Sequence, residues 1–197
     1  MEQEGIASIK YPMNTKEIEC RFLEIDKTAL VKKLIELGAH DEGEIMLEET
    51  IIYDPEGNWR NENRFVRLRK VGDMTKLTYK EHREHTVDGT YEIEFGIDDY
   101  KKAELLFEKI GLKLFRHQQK KRHTLQLNGV TFDIDTWPRI PTYVELEGES
   151  EQVLKDAAKA VGFDWKDAIF NNASWVIENK YNIPVRQLKY FTFERYE

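Results

Sequence analysis

Charged side chains recur two residues apart along this chain, acid with acid and base with base. The sets are Glu17/Glu19 followed by Arg21, Arg67/Arg69, Lys76 and Lys80 on either side of Thr78, Glu92/Glu94, Lys120/Arg122, Asp133/Asp135 and Glu145/Glu147. In a strand, residues i and i+2 share a face. The other face is apolar each time: Ile18/Cys20/Phe22, Val66/Leu68, Leu77/Tyr79, Tyr91/Ile93/Phe95, Phe132/Ile134 and Val144/Leu146. One such strand describes a sheet with its charged side in water. All of them together describe something else, because solvated faces carry neutral polar residues and these carry almost none. A closed barrel with these faces inward would set carboxylates beside guanidinium and ammonium groups. That interior is costly unless it stays wet or binds something charged. The carboxylates suit a divalent cation and the bases suit a polyanion, and a triphosphate with its metal ion satisfies both.

The elements that must position these groups follow from periodicity and turn residues. Strands are expected at 16–24, 44–53, 65–70, 76–80, 90–95, 113–127, 130–136 and 143–147, with Asn128-Gly129 as a tight hairpin turn. Asp26 caps a helix carrying Leu30, Leu34 and Leu37, and Gly38 ends it. Asp98 or Asp99 caps a second helix with Ala103, Leu106, Phe107 and Ile110 on one face, and 150–162 and 164–180 read as two more. The fold class is therefore α+β, an antiparallel sheet or eight-stranded antiparallel β-barrel with flanking helices. Residues 1–14 read as a leader, 15–181 as one tunnel domain, and 182–197 as an aromatic C-terminal arm on the same domain.

Composition narrows the function. In 197 residues, 30 basic and 37 acidic side chains give a net charge of -7, which argues against nucleic acid as a partner. No apolar run is long enough for a membrane helix, and the first ten residues lack a signal-peptide core. The single cysteine, Cys20, excludes an internal disulfide and falls on the apolar face, as a buried thiol would. A cytoplasmic location is expected. His82-Arg83-Glu84-His85 falls in an apparent loop and is not read as a zinc site. No glycine-rich phosphate loop is present.

Glu17-Ile18-Glu19-Cys20-Arg21 resembles the ExExK signature of the CYTH superfamily, the triphosphate tunnel metalloenzymes, and the later charged pairs follow in that family's order. The resemblance implies a tunnel whose bases bind a phosphate chain and whose acids hold Mg²⁺ or Mn²⁺. Phosphate binding then goes to Arg21, Arg67, Arg69, Lys80, Lys120 and Arg122, with Lys76 on the same face as Lys80. Metal binding goes to Glu145, Glu147, Glu17 and Glu19. Glu92, Glu94 and Asp135 become the catalytic carboxylates, which support the ligands, position or deprotonate the nucleophile, or hold a second ion. The signature lysine is Arg21 here, which keeps the charge but cannot serve as a neutral base. The implied activity is metal-dependent hydrolysis of a small-molecule triphosphate by a monomer or homodimer. Class IV adenylyl cyclisation of ATP and non-catalytic polyphosphate or nucleotide binding are the alternatives.

Overall fold

The alternating segments become strands of one sheet in the computed structural model, which describes residues 16–82 and 90–197. These strands are β1 (Lys16–Glu17), β2 (Glu19–Phe22), β3 (His40–Tyr53), β4 (Arg64–Val71), β5 (Met74–His82), β6 (Thr90–Ile97), β7 (Lys113–Leu127), β8 (Val130–Thr136) and β9 (Tyr143–Glu147). Their order is β1-β6-β5-β4-β3-β7-β8-β9-β2, antiparallel throughout. The two short pieces at the ends of this order are one N-terminal strand interrupted at Ile18. Its first part pairs with β6 (Lys16↔Tyr91) and its second with β9 (Arg21↔Glu145). Counted as one, they give the expected eight strands, and they draw the two edges of the curled sheet together.

The turns obey local rules. Asn128 and Gly129 have φ of 50° and 77°, the left-handed pair that a two-residue β7–β8 hairpin requires. Among the described residues five α-helices flank the sheet: α1 (Lys27–Glu36), α2 (Asn58–Asn61), α3 (Tyr100–Lys109), α4 (Glu151–Val161) and α5 (Ala173–Tyr181). Asp26 caps α1 by accepting from Ala29 N at 3.0 Å, and Asp99 caps α3 by accepting from Lys102 N at 2.9 Å.

The hydrophobic core lies outside the barrel, against the apolar strand faces. Cys20, Phe22, Leu125, Phe132, Ile134, Val144 and Leu146 are buried under Leu30 and Leu34 of α1 and Leu154 and Ala158 of α4. Each such side chain contributes about 1.5–3 kcal/mol, and this packing fixes which strand face turns inward. A second cluster places Ala103 and Phe107 of α3 on Ile52, Val66 and Leu68. Beside it, Thr50 Oγ1 is bonded to Tyr100 Oη (2.5 Å), Glu104 Oε1 (2.9 Å) and His117 Nδ1 (3.0 Å), which explains a buried glutamate on α3.

The C-terminal part differs most from the sequence expectation. The helix expected over 164–180 is broken. A 3₁₀ turn at Trp165–Asp167, capped by Asp164, is followed by an extended stretch, and α5 starts afresh on Asn172, whose Oδ1 accepts from Trp175 N at 2.9 Å. Within that stretch Ile169 exchanges two backbone hydrogen bonds of 2.9 Å with Arg21, so the chain is held extended against β2. Downstream, β10 (Tyr190–Phe191) runs parallel to β7, and Phe191 is buried with Trp137, Tyr143, Ile177, Val185 and Leu188. Residues 1–14, and Arg83, Glu84 and His85 with the side chain of His82, lie outside the described residues, so the stretch not read as a zinc site falls there. Among the described residues no helix is long and apolar enough to cross a membrane.

Candidate active site

The inward faces enclose a cavity of about 300 Å³. Arg21, Arg67, Arg69, Lys76, Lys80, Lys120, Arg122, Glu92, Glu94, Glu145 and Glu147 all line it. They come from six strands, β2, β4, β5, β6, β7 and β9, so the sheet register is what brings them together. Glu19 and Asp135 stand behind this lining, buried and paired to it. Glu17 is described in its backbone alone, so its carboxylate lies outside the described residues.

One side of the cavity is a set of locked ion pairs. Arg122 grips Asp135 with two bonds of 2.7 and 2.8 Å and reaches Asp133 and, at 3.7 Å, Glu145. Lys120 Nζ donates to Asp135 at 2.6 Å and lies over the Trp137 ring at 5.1 Å. Burial and the neighbouring Arg122 bring the Lys120 ammonium down to about 8. Burial alone would raise the Asp135 carboxyl; Arg122 and Lys120 outweigh it and hold the group ionised. Asp135 is fully buried and its oxygens are occupied, so in this structure it orients two bases and does not face the cavity.

Arg21 has a role the sequence did not assign. Its guanidinium bridges Glu19 at 3.0 Å and Glu145 at 2.5 Å, and donates to Asn171 O at 2.8 Å. It thus sits between two carboxylates expected to take metal. Glu147 lines the same end and is exposed. It faces Glu19 across the β2–β9 register. Packing of its carboxyl against the wall, then the charges of Glu145 and Glu19, push its pKa up to about 7.

On the other side, Lys80 pairs with Glu92 at 3.1 Å and Lys76 with Glu94 at 2.7 Å. Thr78 Oγ1 donates to Glu94 at 2.9 Å. Arg67 lies 3.9 Å from Glu92 and 3.7 Å from Glu94. Its Nε is buried without a hydrogen-bond partner among the described residues.

Sequence reasoning missed three groups. Glu49 is 3% exposed and accepts from Arg69 Nε at 2.6 Å and Gln118 Nε2 at 2.5 Å, with Arg67 at 4.0 Å. Burial opposes its charge, yet Arg69, Arg67 and Lys120 hold it well below the usual carboxylate range. Arg116 and Gln118 also line the cavity. They continue the period of Lys120 and Arg122 on β7, and extending that alternation by two steps would have found them.

The acidic end fits a hard divalent cation. Glu145 and Glu147 share a strand face, with Glu19 opposite Glu147 across the β2–β9 register. Among the described residues no three carboxylate, imidazole or thiol groups already form a cage. A Mg²⁺-like ion needs none, since it keeps its waters and takes one or two carboxylates plus phosphate oxygens.

Solved structures share this architecture. A protein from Pyrococcus furiosus superposes with a TM-score of 0.67 at 25% identity, covering 80% of this chain and 97% of its own. A candidate adenylate cyclase from Vibrio parahaemolyticus gives a TM-score of 0.72 at 11% identity, over 84% and 99% of the two chains. A candidate adenylyl cyclase from Hippeastrum with a dominant triphosphatase activity gives 0.60 at 14%, over 84% and 96%. No curated protein matches the sequence. The CYTH domain matches residues 15–164, most of the chain and nearly all of the tunnel wall, and its members are generally divalent-metal dependent. The chain belongs to the CYTH family.

Proposed function

We propose that the tunnel hydrolyses a small-molecule triphosphate with the help of Mg²⁺ or Mn²⁺. The observation that carries this reading is the convergence of seven bases and four carboxylates of the expected pairs on one cavity of about 300 Å³. Arg67, Arg69 and Lys80 offer charge-assisted donors to the phosphate oxygens, with Lys76 and Arg122 at their flanks. The buried, unpartnered Nε of Arg67 is a donor for which an anion supplies the acceptor. Arg122 and Lys120 are held in place by Asp135, so their geometry is set before substrate arrives.

Glu145 and Glu147 would hold the divalent cation, with Glu19 beside them. When bound, that ion neutralises charge on the phosphate oxygens. Glu92 and Glu94 face the cavity beside the arginines and are the groups to position water and take its proton. The water oxygen bonds to the terminal phosphorus, the bridging P–O bond breaks, and its electron pair leaves on the diphosphate product. Attack by a ribose 3′-hydroxyl in place of water would give a cyclic nucleotide and pyrophosphate. The reading places the chain in the cytoplasm as a monomer or homodimer. The test is incubation with Mg²⁺ or Mn²⁺ and tripolyphosphate, thiamine triphosphate or ATP, with phosphate and cyclic AMP both assayed. Metal-dependent phosphate release supports hydrolysis. Cyclic AMP with pyrophosphate assigns cyclisation, and neither product from any substrate rejects an enzyme.

A further inference from the structure

β3 and β6 each have a stretch of edge with no neighbour among the described residues, and the two edges are finished differently. β3 lacks a partner on its β4 side from His40 to Leu47. That edge carries Asp41, Glu42 and Glu44 and is bent by a register shift at Gly43, devices that keep a bare edge from recruiting another strand. β6 lacks a partner on the side away from β5 from Ile93 to Ile97, because β1 reaches only Thr90 and Tyr91. It has no lysine, proline or bulge there, and its outer side chains Ile93 and Phe95 are 42% and 54% exposed.

Hydrogen-bond parity tells which backbone groups are left over. The β4–β5 turn, Gly72-Asp73, has two residues, so Val71 and Met74 form a hydrogen-bonded pair. Alternation then directs the backbone of Met74, Lys76 and Thr78 to β4 and that of Thr75, Leu77 and Tyr79 to β6. Their partners Ile97, Phe95 and Ile93 are satisfied by β5. The N–H and C=O of Glu94 and Gly96 point the other way, at the open edge.

We propose that residues 10–15 of this chain fill that edge, continuing β1 along β6 as the closing wall of the tunnel. Fifteen residues precede Lys16, and the antiparallel register Lys16↔Tyr91 sends them along β6 toward Ile97. Carried on, it sets Asn14 opposite Ile93, Met13 opposite Glu94, Pro12 opposite Phe95 and Tyr11 opposite Gly96. The edge bonds then fall to Met13 and Tyr11. Pro12, which has no N–H to give, meets a residue already bonded to β5, so its nitrogen faces outward as an edge proline must. A register shifted by one residue would set it against Glu94 or Gly96. With Lys10 and Pro12 the added strand bears the protection that β6 lacks. Being tethered to β1, it competes for the edge at an effective concentration of about millimolar, which favours it over a second copy of the chain. Opposed residues share a face, so Met13 sits beside Glu94 and Tyr11 over Gly96, while Pro12 and Asn14 cover Phe95 and Ile93. The strand thus screens from solvent a carboxylate to which the hydrolytic reading gives the proton of water.

The test follows backbone amides by NMR hydrogen exchange in the full chain and in a chain lacking residues 1–13. The Glu94 and Gly96 amides should exchange slowly in the full chain and about tenfold faster or more in the shortened one, the factor that one hydrogen bond supplies. The Phe95 amide, bonded to β5, should change less. A disulfide checks the register in the full chain. Asn14→Cys with Ile93→Cys joins a non-hydrogen-bonded pair, with Cα atoms about 4.5 Å apart and within disulfide reach. Cys20 is fully buried and does not compete. This pair should close within one chain, and Asn14→Cys with Ile97→Cys should not. Fast exchange of Glu94 and Gly96 in the full chain, unchanged exchange on shortening, or no bond in the first pair overturns the proposal. A disulfide-linked dimer also overturns it and gives the edge to a second copy. If the shortened chain does not fold, the disulfide decides. None of these readouts is turnover, so failure here leaves the triphosphate reading standing, and an inactive protein leaves the strand standing.

Discussion

Glu49→Gln removes the charge around which the basic half of the tunnel is arranged. Glu49 is almost fully buried, bonds Arg69 Nε at 2.6 Å and Gln118 Nε2 at 2.5 Å, and lies 4.0 Å from Arg67. The glutamine keeps the shape but leaves Arg69 and Arg67 facing each other without their shared anion. Cutting one side of a buried pair costs about 3–5 kcal/mol, and the wet cavity favours the lower end, about 3 kcal/mol. In a domain of this size that lowers Tm by about 6–12 °C. The same change frees Arg67 and Arg69 to bind an outside anion, so tripolyphosphate should raise Tm more in the variant than in the wild type. Thermal unfolding with and without tripolyphosphate reads both effects. An unchanged Tm, or a smaller rise in the variant, would refute the role given to Glu49.

Three further outcomes are expected. Arg67→Ala or Arg69→Ala should each weaken tripolyphosphate binding about tenfold to a hundredfold, one charge-assisted contact of about 1.5–3 kcal/mol; calorimetry on the folded variants checks it. The raised Glu147 carboxyl means that, without metal, the folded chain holds this proton more tightly than the unfolded chain. Its contribution to stability is present below about pH 4.5 and is lost as pH rises to about 7. A cation replaces that proton, so the Tm gain from Mg²⁺ should grow as pH rises through 7, and a gain independent of pH would count against Glu147 as a ligand. Leu154→Ala, at a fully buried site on α4, should cost about 2–5 kcal/mol with no effect on triphosphate affinity in the fraction that stays folded, measured by urea unfolding and calorimetry.

The strand faces were legible because each obeys a period of two; most of the apolar sides pack on helices, while that of β6 leaves Ile93 and Phe95 exposed. Arg67/Arg69, Glu92/Glu94 and Glu145/Glu147 needed no knowledge of their partners. Glu49 was not legible, since β3 carries acids at neighbouring positions, Asp41-Glu42 and Glu48-Glu49, and its alternation is hidden. Its role comes from β3 lying between β4 and β7, a long-range pairing. The split of the N-terminal strand at Ile18 is likewise set by β6 and β9 and not by any local signal. The break before α5 had a local sign in Asn171-Asn172, but what holds the stretch extended is the backbone of Arg21, 148 residues away in sequence, through Ile169. Arg21 itself was placed on the right face. Its partners, Glu19 and Glu145, show it acting first on the acidic end, an assignment that required the β2–β9 register.

The central claim is that the acidic end of this cavity serves metal-dependent turnover of a triphosphate. It is tested most directly by phosphate release from the wild type, Glu145→Gln and Glu147→Gln as Mg²⁺ or Mn²⁺ is titrated, with ligand affinity measured alongside. The account predicts turnover in the wild type that rises with metal, loss of turnover in both variants, and triphosphate binding through the arginines largely retained. Wild-type rates with an unshifted metal dependence in either variant would contradict it.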